Sequence, residues 1–293
     1  MTTAMQKKTD APRVILITGC SSGIGRATAI RLAARGHVVY ASARKLAAIA
    51  DLEQHGCRLL ALDVCDEASM AAAVRAIEAE HGAVDVLVNN AGYSQSGAIE
   101  AVPLERVRAQ FETNVFGAVR LIQLVLPGMR RRKAGRIVNL SSMGGRLVFP
   151  GGGFYHATKY AIEAISDALR FEVRAFGVQV VLIEPGLIRT AFSDAAVGSM
   201  DAPAAADDDA YGEFHAAVAK ATKDSYEKGP LARLAGEADD VARAIEKAIT
   251  VARPRARYTV SGSARLLLAQ RALFSDRVWD AFLRTSFPSP GQA

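Results

Sequence analysis

RVILITGCSSGIG, residues 13–25, runs a continuous apolar stretch into a turn that carries Gly19, Gly23 and Gly25. An apolar run without strict alternation is the pattern of a strand covered on both faces. Glycines in a turn between strand and helix let backbone N–H groups approach a phosphate, with the helix N-terminus facing its charge. Close helix–strand packing explains glycines equally well, so the turn's place on the first β-α unit carries the reading. The spacing, G-x-x-x-G-x-G, is one residue wider than the G-x-G-x-x-G pattern that opens the same kind of helix.

Outward from this stretch, short apolar runs recur at 37–42, 58–62, 84–89, 136–141 and 178–185, with a last strand expected at 256–260. Helix-length segments separate them. Residues 23–35 follow the first run, and 67–81 place Met70, Val74 and Ile77 at helical spacing. Two helical stretches fall within 104–132, and 157–176 carries Ile162, Ile165, Leu169 and Val173. Alternation of this kind predicts an α/β fold, a doubly wound parallel sheet with helices on both faces. No Pro/Gly/Ser linker divides the chain, so residues 12–262 read as one domain. Within it, 189–230 is a long insertion with an acidic run at 207–209 and the aromatics Phe192, Tyr211, Phe214 and Tyr226, expected to cover the site. Residues 263–287 predict two short helices packed on the body as a C-terminal extension.

Composition limits the partners. The chain has 293 residues, 50% of them hydrophobic, enough for a substantial core. Its 36 basic against 30 acidic side chains give +6, but the cations are dispersed and lack interleaved aromatics, so no nucleic-acid surface is expected. The densest basic run, MRRRK at 129–133, ends a predicted helix, where cations complement the dipole. Cys20, Cys57 and Cys65 form neither a disulfide framework nor a C-x-x-C site, and the histidines form no H-x-x-x-H pair, so no metal is expected. The first 13 residues lack a signal-type apolar run and no apolar segment spans a membrane, which points to a soluble, cytoplasmic protein.

The cofactor's identity is read at the end of the second strand, VVYASARK at 38–45. An NAD site there usually supplies a carboxylate to the ribose hydroxyls. Here Ala43 is followed by Arg44 and Lys45, which favours the 2′-phosphate of NADP(H), with NAD(H) as the other option. The third strand leads into Asp63 and Val64, candidates for the adenine edge, although a strand-end aspartate is also a common helix cap. The fourth leads into NNAG at 89–92, where Asn90, Ala91 and Gly92 let the chain pass close under a nucleotide.

Tyr155 and Lys159, in YHATK, are i and i+4 and share a helix face. Alone, that spacing is ordinary helix surface. Ser142, at the end of the fifth strand, brings a hydroxyl to the sheet edge where ligands bind. With TGCSSGIG, NNAG, Asn114 in ETNVFG, Ser142, YHATK and PGLIRT all in order, residues 12–262 resemble the short-chain dehydrogenase/reductase family, a single-domain Rossmann fold. The series also looks similar to the branch with hydroxysteroid and retinol dehydrogenases. The resemblance implies that Gly19, Ser21, Ser22, Gly23, Ile24 and Gly25 cradle the cofactor pyrophosphate. It implies that Asn90 and Gly92 lie along the nucleotide and that Pro185, Gly186, Ile188 and Thr190 close around the nicotinamide. Asn114, Ser142, Tyr155 and Lys159 match the family's catalytic four, and family members are often homodimers or homotetramers.

The chemistry agrees with the residue types. Reducing a carbonyl develops negative charge on oxygen, and a hydroxyl donor there supplies the proton. Tyrosine has a reference pKa of about 10, so an ammonium beside Tyr155 is expected to favour the phenolate and lower it. His156, adjacent in sequence, does not share the Tyr155 face and is expected at the surface or just behind the site. Met143, Leu147, Val148, Phe149, Phe154, Leu187, Phe192 and Phe214 are the available lining, which favours an apolar ketone, aldehyde or alcohol, with Arg146 and Arg189 leaving room for an anion. A 3-oxoacyl-thioester reductase and a nucleotide-binding scaffold without turnover are the rival readings.

Overall fold

The protein, seen as a computed structural model, is described over residues 11–199 and 210–287; the acidic run at 207–209 lies outside the described residues. Strand β1 (Val14–Ile17) leads into helix α1 (Gly23–Ala34) and strand β2 (Val38–Ala43). The chain continues through β3 (Arg58–Ala61), α2 (Glu67–His81), β4 (Val86–Asn89), α3 (Leu104–Phe111) and α4 (Gly117–Arg132). Next come β5 (Gly135–Leu140), α5 (Gly153–Glu172) and β6 (Val178–Pro185). The remainder comprises β7 (Ile188–Arg189), α6 (Phe192–Gly198), α7 (Gly212–Glu227), α8 (Gly229–Arg233), β8 (Gly236–Glu237), α9 (Ala238–Thr250), β9 (Arg257–Val260), α10 (Gly262–Leu273) and α11 (Asp276–Arg284).

Seven strands form one parallel sheet in the order β3-β2-β1-β4-β5-β6-β9. The order reverses between β1 and β4, so the connections leaving these two strands diverge and open a crevice at their C-terminal ends. Alternate residues of β1 serve opposite faces. Ile15 and Ile17 join Ala29 and Leu32 of α1 and Val241, Ile245 and Ile249 of α9. Val14 and Leu16 join Met70, Val74 and Ile77 of α2 and Leu121 and Val125 of α4. Burial on both faces is why these strands read as continuous apolar runs.

Local chemistry sets the element ends. Asp66 caps α2 by accepting from Ala68 N and Ser69 N, and Gly82 closes it in the left-handed region at φ 80°. Asp63 is therefore not the cap. The two helical stretches expected within 104–132 are joined by one π-helical turn, Glu112–Phe116, which points Asn114 inward. Arg130, Arg131 and Arg132 occupy the last turn of α4, and Arg132 pairs with Asp85 at 2.7 Å. Helix α5 starts at Gly153, four residues before the expected 157, because a run of glycines hides its first turn from pattern reading.

Helices α10 and α11 pack Ala264, Leu267 and Trp279 against Met143, Leu147 and Leu187, the two segments that follow β5 and β6. Leu147 and Leu187, expected to line a pocket, are instead the core of this contact. Val148 is exposed, and Phe214 packs on Ala98 and Val218. Packing under the last two helices, invisible to a linear pattern, claims these side chains.

Candidate active site

A cavity of about 1070 Å³ runs along the C-terminal edge of the sheet. One end is made by Gly19, Ser21, Ser22, Gly23, Ile24, Arg44, Asp63 and Val64, the middle by Asn90, Ala91 and Gly92. The other end holds Ser142, Met143, Tyr155, Lys159, Pro185, Gly186, Ile188, Thr190, Phe192 and Tyr226. Of the predicted site residues, only Gly25 and Asn114 are absent from the lining.

Both lie one layer behind. A Cβ on Gly25 would overlap Asn90 Nδ2 and Gly19 O, so the turn can close only on glycine. Gly19 has φ +72°, and a side chain there would sit 2.9 Å from Ala91 Cα. Asn90 Nδ2 donates to Thr18 O at 2.8 Å and Gly19 O at 3.0 Å, while Thr18 Oγ1 accepts from Asn90 N and Ala91 N. Strand β4 thus braces the turn, and the Asn90 amide is spent on the turn itself. The Ser22 side chain makes no cap hydrogen bond and the first turn of α1 holds no acid. Its N–H groups are left for an anion, so the turn fits a dinucleotide pyrophosphate. At the β2 end, Ala43 and the exposed Arg44 line the cavity, with no ion pair on Arg44 among the described residues.

At the opposite end, Tyr155 packs against Phe192 with ring centroids 5.4 Å apart. Lys159 Nζ lies 5.7 Å from the Tyr155 ring and donates to Leu140 O at 2.8 Å. Ser142 Oγ accepts from Gly144 N at 3.0 Å, capping the short turn Met143–Gly145. Burial pushes the Tyr155 phenol above its ordinary pKa, with a hydrogen bond from Ser142 pulling the other way. Burial also pulls Lys159 down to about 8, against the raising field of Glu163. The expectation that Lys159 lowers the Tyr155 pKa is therefore not met: the net shift is upward. Desolvation is the largest cause at both groups and disfavours the charged form of each. Strongly perturbed groups clustered in one cleft are a mark of a reaction centre.

Asn114 uses its amide on the strand-end loop: Oδ1 accepts from Tyr93 N at 3.0 Å, and Nδ2 donates to Tyr93 O at 2.9 Å and Thr158 Oγ1 at 3.1 Å. His156 is buried beside the cavity, so of its two expected places the surface is ruled out and the one against the site stands. Its Nδ1 bonds Gly144 O at 3.0 Å, and Nε2 accepts from Phe149 N at 3.2 Å, which fixes the proton on Nδ1. Burial lowers its pKa to about 4. Reading its helix position from Tyr155 alone overlooked the loop 144–149 folding over that face. Arg146 and Arg189, considered as anion holders, are engaged by Glu184 at 3.6 Å and Glu237 at 2.9 Å. Sequence reasoning did not assign Tyr93, Thr113 or Tyr226 to the site; only Tyr226 carried a signal, as an aromatic in the long insertion.

Residues 13–199 match the family model described as short chain dehydrogenase. The chain belongs to the short-chain dehydrogenase family. This short-chain dehydrogenase is 45% identical over 184 residues to 3-ketodihydrosphingosine reductase of Bacteroides thetaiotaomicron, covering 62% of this chain and 66% of that one. It is 35% identical to NADPH-dependent 3-dehydrocapnine reductase of Ornithobacterium rhinotracheale, with 92% and 95% of the two chains covered. It is 34% identical to bovine (Bos taurus) retinol dehydrogenase 8, with 94% and 90% covered, in line with the retinol branch read from the motifs. Among solved structures, a short-chain dehydrogenase from Streptomyces avermitilis superposes with TM-score 0.76 at 34% identity, covering 93% and 96% of the two chains.

Proposed function

We propose that this oxidoreductase transfers a hydride between NADP(H) and the carbonyl or alcohol carbon of an apolar ketone, aldehyde or secondary alcohol. The carrying observation is the single cavity that joins the unacidified α1 turn and Arg44 at one end to Tyr155, Ser142 and Lys159 at the other. Arg44, with no carboxylate at the end of β2, would read the 2′-phosphate, and the turn from Gly19 to Gly25 would hold the pyrophosphate. When bound, the nicotinamide supplies or accepts the hydride.

The remaining chemistry falls to this chain. Tyr155, neutral in the buried site, is poised to donate its proton to the substrate oxygen as negative charge develops there. Ser142 Oγ, held by Gly144 N, orients that oxygen and shares its charge. Lys159, anchored on Leu140 O, keeps a positive charge near Tyr155 once the phenolate forms and would bind the nicotinamide ribose. Asn114 fixes the loop at Tyr93 and borders Gly92, so it would support a water-borne proton path behind Lys159. Met143, Phe192 and Tyr226 give the substrate end an apolar wall, which favours lipophilic substrates. Two relatives named for a sphingosine ketone and for retinol agree in polarity.

Residues 12–262 are read as the catalytic domain, 263–287 as a C-terminal helical extension packed on the same domain, and the assembly as a homodimer or homotetramer. No described helix is long and apolar enough to cross a membrane, and the cysteines are free, which suits the cytoplasm. Initial rates with NADPH and NADH over aliphatic aldehydes, aromatic ketones, steroids, retinal and a 3-oxoacyl thioester test the proposal. Turnover that prefers NADPH and vanishes in Tyr155→Phe is expected. Undiminished turnover in that variant would refute the assignment of the proton donor.

A further inference from the structure

The face of α5 that carries Tyr155 and Lys159 continues at the same spacing to Glu163. Glu163 is buried, at 6% exposure, and belongs to a group of charges behind the reaction centre. Its Oε2 accepts from Arg257 Nε of β9 at 2.9 Å, and the carboxylate also takes a hydrogen bond from the Ser141 side chain. Arg257 also pairs with Glu184 at 3.2 Å and Asp167 at 2.7 Å. Glu184 is wholly buried on β6, accepts from Thr259 Oγ1 at 2.8 Å, and directly precedes the cavity residues Pro185 and Gly186.

The charges sort by depth. Asp167 and Arg170 pair at the rim at 2.6 Å, and Arg146, half exposed, pairs with Glu184 at 3.6 Å. Two buried carboxylates, Glu163 and Glu184, then face the partly buried Arg257 and one buried cation, the 6% exposed Lys159. Among the described residues no carboxylate lies within ion-pair distance of Lys159, whose ammonium bonds Leu140 O. The other polar groups facing this region, Ser141 and Ser142 after β5, Asn114 in the π turn, and Tyr155 and His156 on α5, are neutral. An ammonium withdrawn from water keeps its charge only beside a compensating one.

We propose that Glu163 is the counter-ion of Lys159, clamped by Arg257, and that it acts as a positioning residue for the reaction ascribed to Tyr155, on which reading this inference rests. Glu163 then keeps Lys159 protonated across the working pH range, and Arg257 ties that setting to the last strand of the sheet. The direction of the field on Lys159 agrees: Glu163 raises its pKa against burial.

The test reads Lys159 itself in the cofactor-free protein, by the side-chain carbon shifts of 13C-labelled lysine across a pH titration, assigned with Lys159→Arg. In Glu163→Gln the Lys159 midpoint should fall by about one pH unit, the size expected for unit charges a helical turn apart and partly offset by Arg257. Glu163→Asp should restore most of it. At saturating NADPH, the alkaline limb of kcat for carbonyl reduction should move the same way. An unchanged or raised midpoint in folded Glu163→Gln would overturn the proposal and leave Glu163 a strut. If that variant does not fold, Arg257→Gln carries the test with the opposite sign, since losing the clamp's charge should raise the midpoint; a fall or no change overturns the proposal. Retained turnover in Tyr155→Phe would refute the ascribed reaction while leaving the free-protein titration standing.

Discussion

Acidification should destabilise the fold through His156, and the size of the effect follows from its two hydrogen bonds. The neutral ring donates from Nδ1 to Gly144 O and accepts at Nε2 from Phe149 N. A second proton removes the acceptor and places a charge among Gly144, Phe149 and Tyr155. The folded-state pKa is accordingly depressed from 6.5 to about 4. Between these values the unfolded chain binds the proton and the folded one does not, so stability is fully present above 6.5 and is lost as pH falls towards 4. From pH 7.5 to pH 5 the loss is about 2 kcal/mol, from a shift of 2.5 units at 1.36 kcal/mol each, only partly expressed at pH 5. Glu163, raised by burial, works in the opposite direction, so the measurement must be differential. Urea unfolding of the wild type and of His156→Gln at each pH isolates the histidine: the variant should start less stable and lose about 2 kcal/mol less on acidification. Parallel stability–pH curves for the two proteins would refute the reasoning.

Three further outcomes follow from the cavity. Arg44→Ala should raise the KM for NADPH about 10- to 100-fold, the value of a charge-assisted hydrogen bond, and leave NADH kinetics nearly unchanged; equal effects on both cofactors would remove Arg44 as the phosphate reader. Gly25→Ala forces a Cβ into Asn90 Nδ2 and Gly19 O, so a stability loss of roughly 1–3 kcal/mol and weakened nucleotide binding in titration calorimetry are expected. Trp279→Ala opens the contact with Met143, Leu147 and Leu187, which should cost about 3–5 kcal/mol in urea unfolding and raise substrate KM more than cofactor KM.

The sheet was legible because its strands are covered on both faces: VILI at 14–17 and VQVVLIEP at 178–185 announce themselves without alternation. The nucleotide turn was legible because its glycines are demanded by contacts as close as Gly19 to Ala91, whatever the rest of the chain does. The substrate end was less so. Whether Leu147 lines a pocket or fills a core depends on α10 and α11, more than 100 residues later, and no local pattern carries that. The choice between surface and interior for His156 stayed open for the same reason, since what covers its face is a returning loop and not its own helix. Ionisation proved the least readable. Spacing put an ammonium near a phenol, while the depth at which both are buried sets which charge state prevails.

The clamp on Arg257 also has an order in time. Glu163 and Glu184 leave the ribosome about 70 residues or more before the arginine that neutralises them, an interval of about 4–15 s at ordinary elongation rates. During that interval Glu184 has only the half-exposed Arg146 for a charge partner, and on the other face Ile15, Ile17 and Leu32 still wait for Val241, Ile245 and Ile249 of α9. The cofactor half therefore waits on α9 and the reactive half on the guanidinium of Arg257 a few residues later, so the two halves of the cavity reach their final packing at nearly the same moment of synthesis.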